Sequence, residues 1–153
     1  MTLYALYVMA AILLAAVLLE LKTGKIPNWL TLLPFLLFAV VAVMAEDRSA
    51  VIWPLVQAAV VFGIGLLLFA FAGFGAGAVK LMTGLALFVQ ADERLWSLGA
   101  FVVALFVTAL IIVPVRKRLG SDDSTWHVMA KPVLPMSVPI ALAGWAAIFI
   151  FPL

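Results

Sequence analysis

Short charged or Pro/Gly-rich breaks divide the chain into six apolar runs. The runs cover roughly residues 3 to 21, 29 to 45, 51 to 72, 79 to 91, 95 to 115 and 134 to 152. A spanning helix needs about 20 mainly apolar residues, so a chain of 153 residues has room for roughly six spans. Only 10% of the residues are charged, whereas soluble domains average about 25%. This excludes a soluble domain and predicts an all-α, polytopic membrane protein with about six transmembrane helices, in one domain that covers residues 1–153.

The basic residues predict the orientation of these helices. If successive loops alternate sides, only Arg48 and Arg94 lie on one side. The other side then carries Lys22, Lys25, Lys80, Arg116, Lys117, Arg118 and Lys131. The side rich in Lys and Arg is cytoplasmic by the positive-inside rule, so we expect both termini outside the cytoplasm. This expectation requires the fourth run, the shortest, to cross the membrane.

The glycine stretch, Gly73 to Leu81 (GFGAGAVKL), separates the third and fourth runs. Its glycines at 73, 75 and 77 allow the backbone to bend and other groups to approach it closely. Irregular backbone at membrane depth is tolerated only where it is buried in protein or lines a wet cavity. We therefore expect a functional site here, at the cytoplasmic edge. The spacing does not match a phosphate-binding loop or a dinucleotide fingerprint.

A second unusual segment, the basic turn Lys22 to Asn28, follows Glu20 at the end of the first run. We expect Pro27 to end the first helix, because the residue before a proline resists the helical region. Asn28 is expected to cap the second helix. Alternation of the loops places this turn on the same side of the membrane as the glycine stretch.

The remaining polar residues offer few alternatives. The chain has no cysteine and one histidine, His127, which argues against most metal sites and predicts no metal or organic cofactor. Nothing in the charge distribution predicts a nucleic-acid partner. Acidic residues of the predicted outer loops, Glu46, Asp47, Asp92 and Glu93, are interpreted as solvated turn residues. On the cytoplasmic side, Asp122, Asp123 and the pair Trp126-His127 are interpreted as loop structure rather than as catalytic groups.

The two cytoplasmic segments resemble the type IV prepilin peptidases, intramembrane aspartic proteases that trim the leader peptides of type IV pilins and related pseudopilins. In that family one Asp precedes a basic turn that ends in Ile-Pro-Asn, as Ile26-Pro27-Asn28 does here. A second Asp lies in a Gly-x-Gly-Asp-x-Lys motif, which reads Gly75-Ala76-Gly77-Ala78-Val79-Lys80 in this chain. The proline-rich start of the last run, Leu134 to Ala141, is similar to the family's final helix. The chain's size, its six expected spans and its lack of cysteine are similar to the short branch found with tight-adherence (Flp) pili, which lacks the methyltransferase part.

The resemblance implies an aspartic endopeptidase of the bacterial inner membrane that cuts prepilin leaders on the cytoplasmic side. It places the catalytic positions at Glu20 and Ala78, and the leader-binding residues at Gly75, Gly77, Lys80, Pro27 and Asn28. Both catalytic positions depart from the family, since Glu20 is one methylene longer than Asp and Ala78 has no carboxyl. An acid/base pair divides two roles between two carboxyls, so its partial loss predicts impaired cleavage.

Several interpretations remain open. The chain is either a peptidase silenced by alanine at one position, or a natural relative that binds prepilins without cutting them. A small transporter subunit, with Glu20 as an intramembrane ion site, is a further alternative, as is a purely structural use of Glu20 and the glycines. The sequence predicts no oligomeric state.

Overall fold

The computed structural model describes residues 3–90, 94–131 and 133–150, and every regular element among them is helical. The helices are α1 Leu3–Thr23, α2 Asn28–Val43, α3 Ser49–Ala72, α4 Ala76–Ala86, α5 Arg94–Leu119, the short α6 His127–Ala130 and α7 Ser137–Trp145, which continues into a π-helical segment, Ala146–Ile150. Five of the six expected runs match helices closely. The fourth, expected over 79 to 91, forms a helix only over Ala76–Ala86.

Helices α4 and α7 lie at the centre of the bundle. Helix α4 packs against α2, α3 and α7, and α7 packs against α1, α4 and α5. Most of α4 is buried, with Leu81 completely so. Glycines at two of its contacts allow the neighbouring helices to approach closely. Gly65 of α3 lies against Val79 of α4, and Gly84 of α4 lies against Pro34 of α2. Of the small residues in α3, Gly65 is buried whereas Gly63 is exposed.

Helices α3 and α5 form the outside of the bundle. Only Ala58 and Gly65 of α3, and Ala104 and Thr108 of α5, are buried, while large apolar side chains such as Phe71 point outward. Exposed apolar surface of this extent is stable only in lipid. Three helices, at 4–23, 49–72 and 94–119, are long and apolar enough to cross a membrane. The described residues are thus all-helical, as expected of a membrane protein; the number of spans and the side of the termini stay predictions.

The end of α4 depends on a polar side chain from α3. With 11 residues, α4 is only about 16 Å long, roughly half of the hydrocarbon thickness. Carbonyl groups at the end of such a helix need a donor from elsewhere. Gln57 Nε2 donates to the carbonyl oxygens of Ala86 (2.9 Å) and Val89 (3.2 Å), and Gln57 Oε1 accepts from Arg94 Nε (2.5 Å). Gln57 thus allows α4 to end early.

Candidate active site

The basic turn is organised by Gly24 rather than by Pro27. Helix α1 ends at Thr23, and Gly24 follows with φ +71° and donates its amide to the Glu20 carbonyl at 2.8 Å. A left-handed glycine directly after the last helical residue is a common helix end. The expectation that Pro27 stops the first helix is therefore wrong. The imidazole of His127 occupies the space that a side chain at Gly24 would need, so His127 has a packing role here.

Pro27 and Asn28 begin α2 in a different way from that expected. Pro27 is the N-cap residue, with φ −68° and ψ 145°, and Asn28 is the first residue of the helix. No side-chain hydrogen bond caps α2, so the expectation that Asn28 is its cap is wrong. Instead, Asn28 Oδ1 accepts a hydrogen bond from Lys80 Nζ at 2.9 Å. This contact joins two residues that are 52 positions apart.

The glycine stretch forms the junction between α3 and α4. Helix α3 ends at Ala72, Gly73 has φ +70°, and Gly75 is extended with φ −70° and ψ 142° as the N-cap residue of α4. The expected break is thus confirmed, over residues 73–75. Nothing lies within 4 Å of the position that a Cβ atom would take at Gly75, so the backbone is accessible there.

The basic turn and the glycine stretch meet at Gly77. A Cβ atom added there would lie 3.0 Å from both the Cβ atom and the carbonyl oxygen of Ile26. A side chain at this position would require Ile26 to move by a few tenths of an ångström, so the close approach favours glycine. Together with the bond between Lys80 and Asn28, it brings the Ile26-Pro27-Asn28 segment onto the first turn of α4. Gly77 is therefore used for contact within the chain, whereas Gly75 remains open.

The carboxyl group of Glu20 is held by the last helix. Glu20 lies half-buried near the end of α1, and its Oε2 accepts the Ser137 amide at 2.6 Å. Ser137 begins α7, whose N-cap residue Met136 supplies no side-chain hydrogen bond. A carboxylate at a helix N-terminus satisfies an orphan amide and interacts favourably with the helix dipole. Sequence analysis missed this contact, although the lack of Ser, Thr, Asp or Asn before Ser137 was a signal that α7 needs an external acceptor.

Position 78 carries no polar group. Ala78 lies on the buried face of α4 with 2% of its surface exposed, so a larger side chain there would point into protein. Lys80, two residues later, is exposed. Glu20 is therefore the only carboxyl at either expected catalytic position.

Among the residues that the structure describes, the other acids do not form a second site. Asp122 and Asp123 are exposed. Asp47 accepts hydrogen bonds from the hydroxyl and the backbone amide of Ser49, which hold the pKa of its carboxyl below the usual value. Asp92 and Glu93 lie outside the described residues. Within the described ranges, no three His, Asp or Glu side chains are placed to hold a metal ion.

A family model described as the Type IV leader peptidase family matches residues 7–115. Searches of curated proteins and of solved structures found no match. The matched segment includes the basic turn and the glycine stretch, and it ends before α6 and α7. Because it covers well over half of the residues, and its two segments are in contact in the structure, the chain belongs to the type IV leader peptidase family.

Proposed function

We propose that the chain binds prepilin leader peptides at the cytoplasmic face of the bacterial inner membrane, and that its cleavage activity is impaired by Ala78. The observation that supports this is the junction at Gly77, where the Ile26-Pro27-Asn28 segment meets the first turn of α4. The two segments that carry the family motifs are thus in contact, and the position that is Asp in the family motif is Ala78 here. By its size, we place the chain in the branch that serves tight-adherence (Flp) pili, without methyltransferase activity.

The chemistry of peptide hydrolysis explains the expected impairment. A water molecule must lose a proton as it attacks the peptide carbonyl, and the leaving amine must gain one. Two neighbouring carboxyls divide these roles because one stays protonated while the other is ionised. With Glu20 as the single carboxyl, either the base for the water or the acid for the leaving amine is missing. Loss of one acid/base group typically lowers the rate about 10²- to 10⁴-fold.

The accessible backbone supports binding of an extended peptide. Gly73 and Gly75 are exposed, and the space around Gly75 is open, so a peptide backbone can lie against the chain there. Lys80, also exposed, is held by Asn28 at the same edge.

Cleavage of a partner prepilin in membranes tests the proposal. We compare the unchanged chain with Ala78→Asp at matched, folded expression, and use Ala78→Asn as the control because it has nearly the same size and cannot act as an acid or a base. We expect cleavage only with Ala78→Asp. If Ala78→Asn cuts equally well, the carboxyl is not the missing group. If no variant cuts, addition of Glu20→Asp to Ala78→Asp tests whether the pair was lost at both positions.

A natural prepilin-binding relative without peptidase activity is the second candidate. The contact between Glu20 and Ser137 favours it, because it gives Glu20 a structural reason to be Glu rather than Asp. Copurification of an uncut prepilin with the unchanged chain, together with failure of both aspartate variants to cut, would support this candidate. Failure to retain any prepilin would argue against both.

A further inference from the structure

Ser137 has a hydroxyl group that the packing of the chain does not use. The residue is 0% exposed, and its Oγ atom has no hydrogen-bond partner among the described residues. Buried hydroxyl groups are costly when they are unpaired, and exceptions need an explanation. Ser137 also lies outside the segment that the family model matches.

This hydroxyl lies beside the only carboxyl of the candidate site. The Ser137 amide nitrogen is 2.6 Å from Glu20 Oε2. Three bonds separate this nitrogen from Oγ, so Oγ lies within roughly 6 Å of the carboxylate in every rotamer. A separation of this size is about what one water molecule bridges when it forms hydrogen bonds of ordinary length to both groups.

The last helix is fixed firmly enough to position such a group. At its other end, Trp145 Nε1 donates to the Ala10 carbonyl at 3.2 Å, and Gly144 lies against Leu13 of α1. Helix α7 is therefore attached to α1 at both ends. A side chain on a helix that is held in this way is placed more precisely than one on a loop.

We propose that Ser137 is a positioning residue, and that its hydroxyl and the Glu20 carboxylate together hold the water molecule that attacks the peptide bond. The inference rests on the proposed function. The water oxygen bonds to the peptide carbonyl carbon while its proton passes to Glu20. In Ala78→Asp, the peptide C–N bond then breaks as the leaving amine takes a proton from the carboxyl that the substitution introduces; in the unchanged chain no acid at position 78 provides this proton.

The first test uses Ala78→Asp as the active background. We expect Ser137→Ala to lower kcat about 10- to 100-fold with little change in KM, because the water is held less precisely, and Ser137→Thr to restore part of the rate. Ser97→Ala is the matched control, since Ser97 Oγ is also buried without a partner but lies on α5. A change of less than twofold in Ser137→Ala, or an equal effect of both alanine variants, would overturn the proposal. A parallel loss of prepilin binding or of thermal stability would overturn it too, because it would assign Ser137 a structural role.

A second measurement does not depend on cleavage. Infrared spectra of the unchanged chain with ¹³C-labelled glutamate resolve the carboxylate bands, and Glu20→Gln identifies the band of Glu20. We expect Ser137→Ala to shift this band and Ser97→Ala to leave it unchanged. Identical bands in Ser137→Ala and the unchanged chain would refute the role of Ser137. If Ala78→Asp fails to cut even with Glu20→Asp added, the proposed cleavage function fails on its own, and the infrared comparison still decides whether Ser137 interacts with Glu20.

Discussion

A methyl group added at Gly77 would push apart the two segments that form the candidate site. In Gly77→Ala the new Cβ atom would lie 3.0 Å from the Ile26 Cβ atom and 3.0 Å from its carbonyl oxygen. Both distances are a few tenths of an ångström too short. The carbonyl oxygen belongs to the backbone, so it cannot rotate away as a flexible side chain would. The basic turn must therefore move as a unit.

The expected size of the effect follows from two opposing contributions. Overpacking of a well-filled site typically costs about 1–3 kcal/mol, whereas Ala in place of Gly inside a helix contributes up to about 1 kcal/mol. We expect Gly77→Ala to lower the free energy of unfolding by about 0–2 kcal/mol. The matched variant is Gly75→Ala, where the new Cβ meets nothing within 4 Å and φ is −70°. It should stabilise the protein by about 0.4–1 kcal/mol, because it restricts the unfolded chain.

Unfolding of both variants in detergent, followed by circular dichroism, measures this difference. We expect Gly75→Ala to be more stable than Gly77→Ala by about 0.4–3 kcal/mol, the sum of the two estimates. Prepilin binding should weaken in Gly77→Ala in the same experiment series, since the turn that carries Pro27 and Asn28 is displaced. If Gly77→Ala is as stable as Gly75→Ala, the contact with Ile26 does not constrain the site, and the reasoning is refuted.

Three further predictions concern polar groups outside this contact. Gln57→Leu should destabilise the chain by about 1–3 kcal/mol in detergent unfolding, because the carbonyls of Ala86 and Val89 and the Arg94 guanidinium each lose a partner. An unchanged unfolding midpoint would contradict this role of Gln57. The lowered pKa of Asp47 stabilises the fold above the usual carboxyl pKa, and this contribution is lost as the pH falls through the lowered value. Asp47→Ala should therefore lose less stability than the unchanged chain when the pH is lowered. Identical slopes of unfolding free energy against pH in the two proteins would argue against this. Glu20→Asp should lower the free energy of unfolding by about 0.5–2 kcal/mol, because the shorter side chain withdraws the carboxyl by about 1.5 Å from the Ser137 amide and α7 loses its cap. Glu20→Gln keeps an acceptor oxygen at the same reach and should lower it less.

The helical architecture was predictable from the sequence because it depends on local composition. Apolar runs of the right length between charged breaks determine α1, α2, α3 and α5 within a few residues, as hydrophobic periodicity and length arguments would suggest. The position of the glycine break between α3 and α4 was predictable for the same reason. These features need no knowledge of which residues meet in space.

Long-range contacts could not be derived in this way. The early end of α4 depends on Gln57, which lies 29 positions before the Ala86 carbonyl that it binds. The end of α1 at Gly24 was missed because Pro27 gave a stronger local signal, and Asn28 was assigned to a cap although its side chain binds Lys80. For Gln57 and Asn28, a side chain binds a group elsewhere in the bundle, and nothing in the neighbouring sequence identifies that partner.

The two departures from the family pattern therefore have different physical meanings. The Glu20 side chain forms a hydrogen bond within the bundle. Its extra methylene, compared with Asp, allows the carboxylate to reach the Ser137 amide at the start of α7, where the N-cap residue supplies no side-chain hydrogen bond. Ala78 forms no polar contact and lies buried on α4, where an unpaired carboxyl in the absence of substrate would be costly. Alanine at position 78 thus leaves the proposed site without a second carboxyl and avoids a buried unpaired acid, whereas substitution of Glu20 would remove a connection between α1 and α7. For this reason we expect restored activity to require a change at position 78 first, with Glu20 retained.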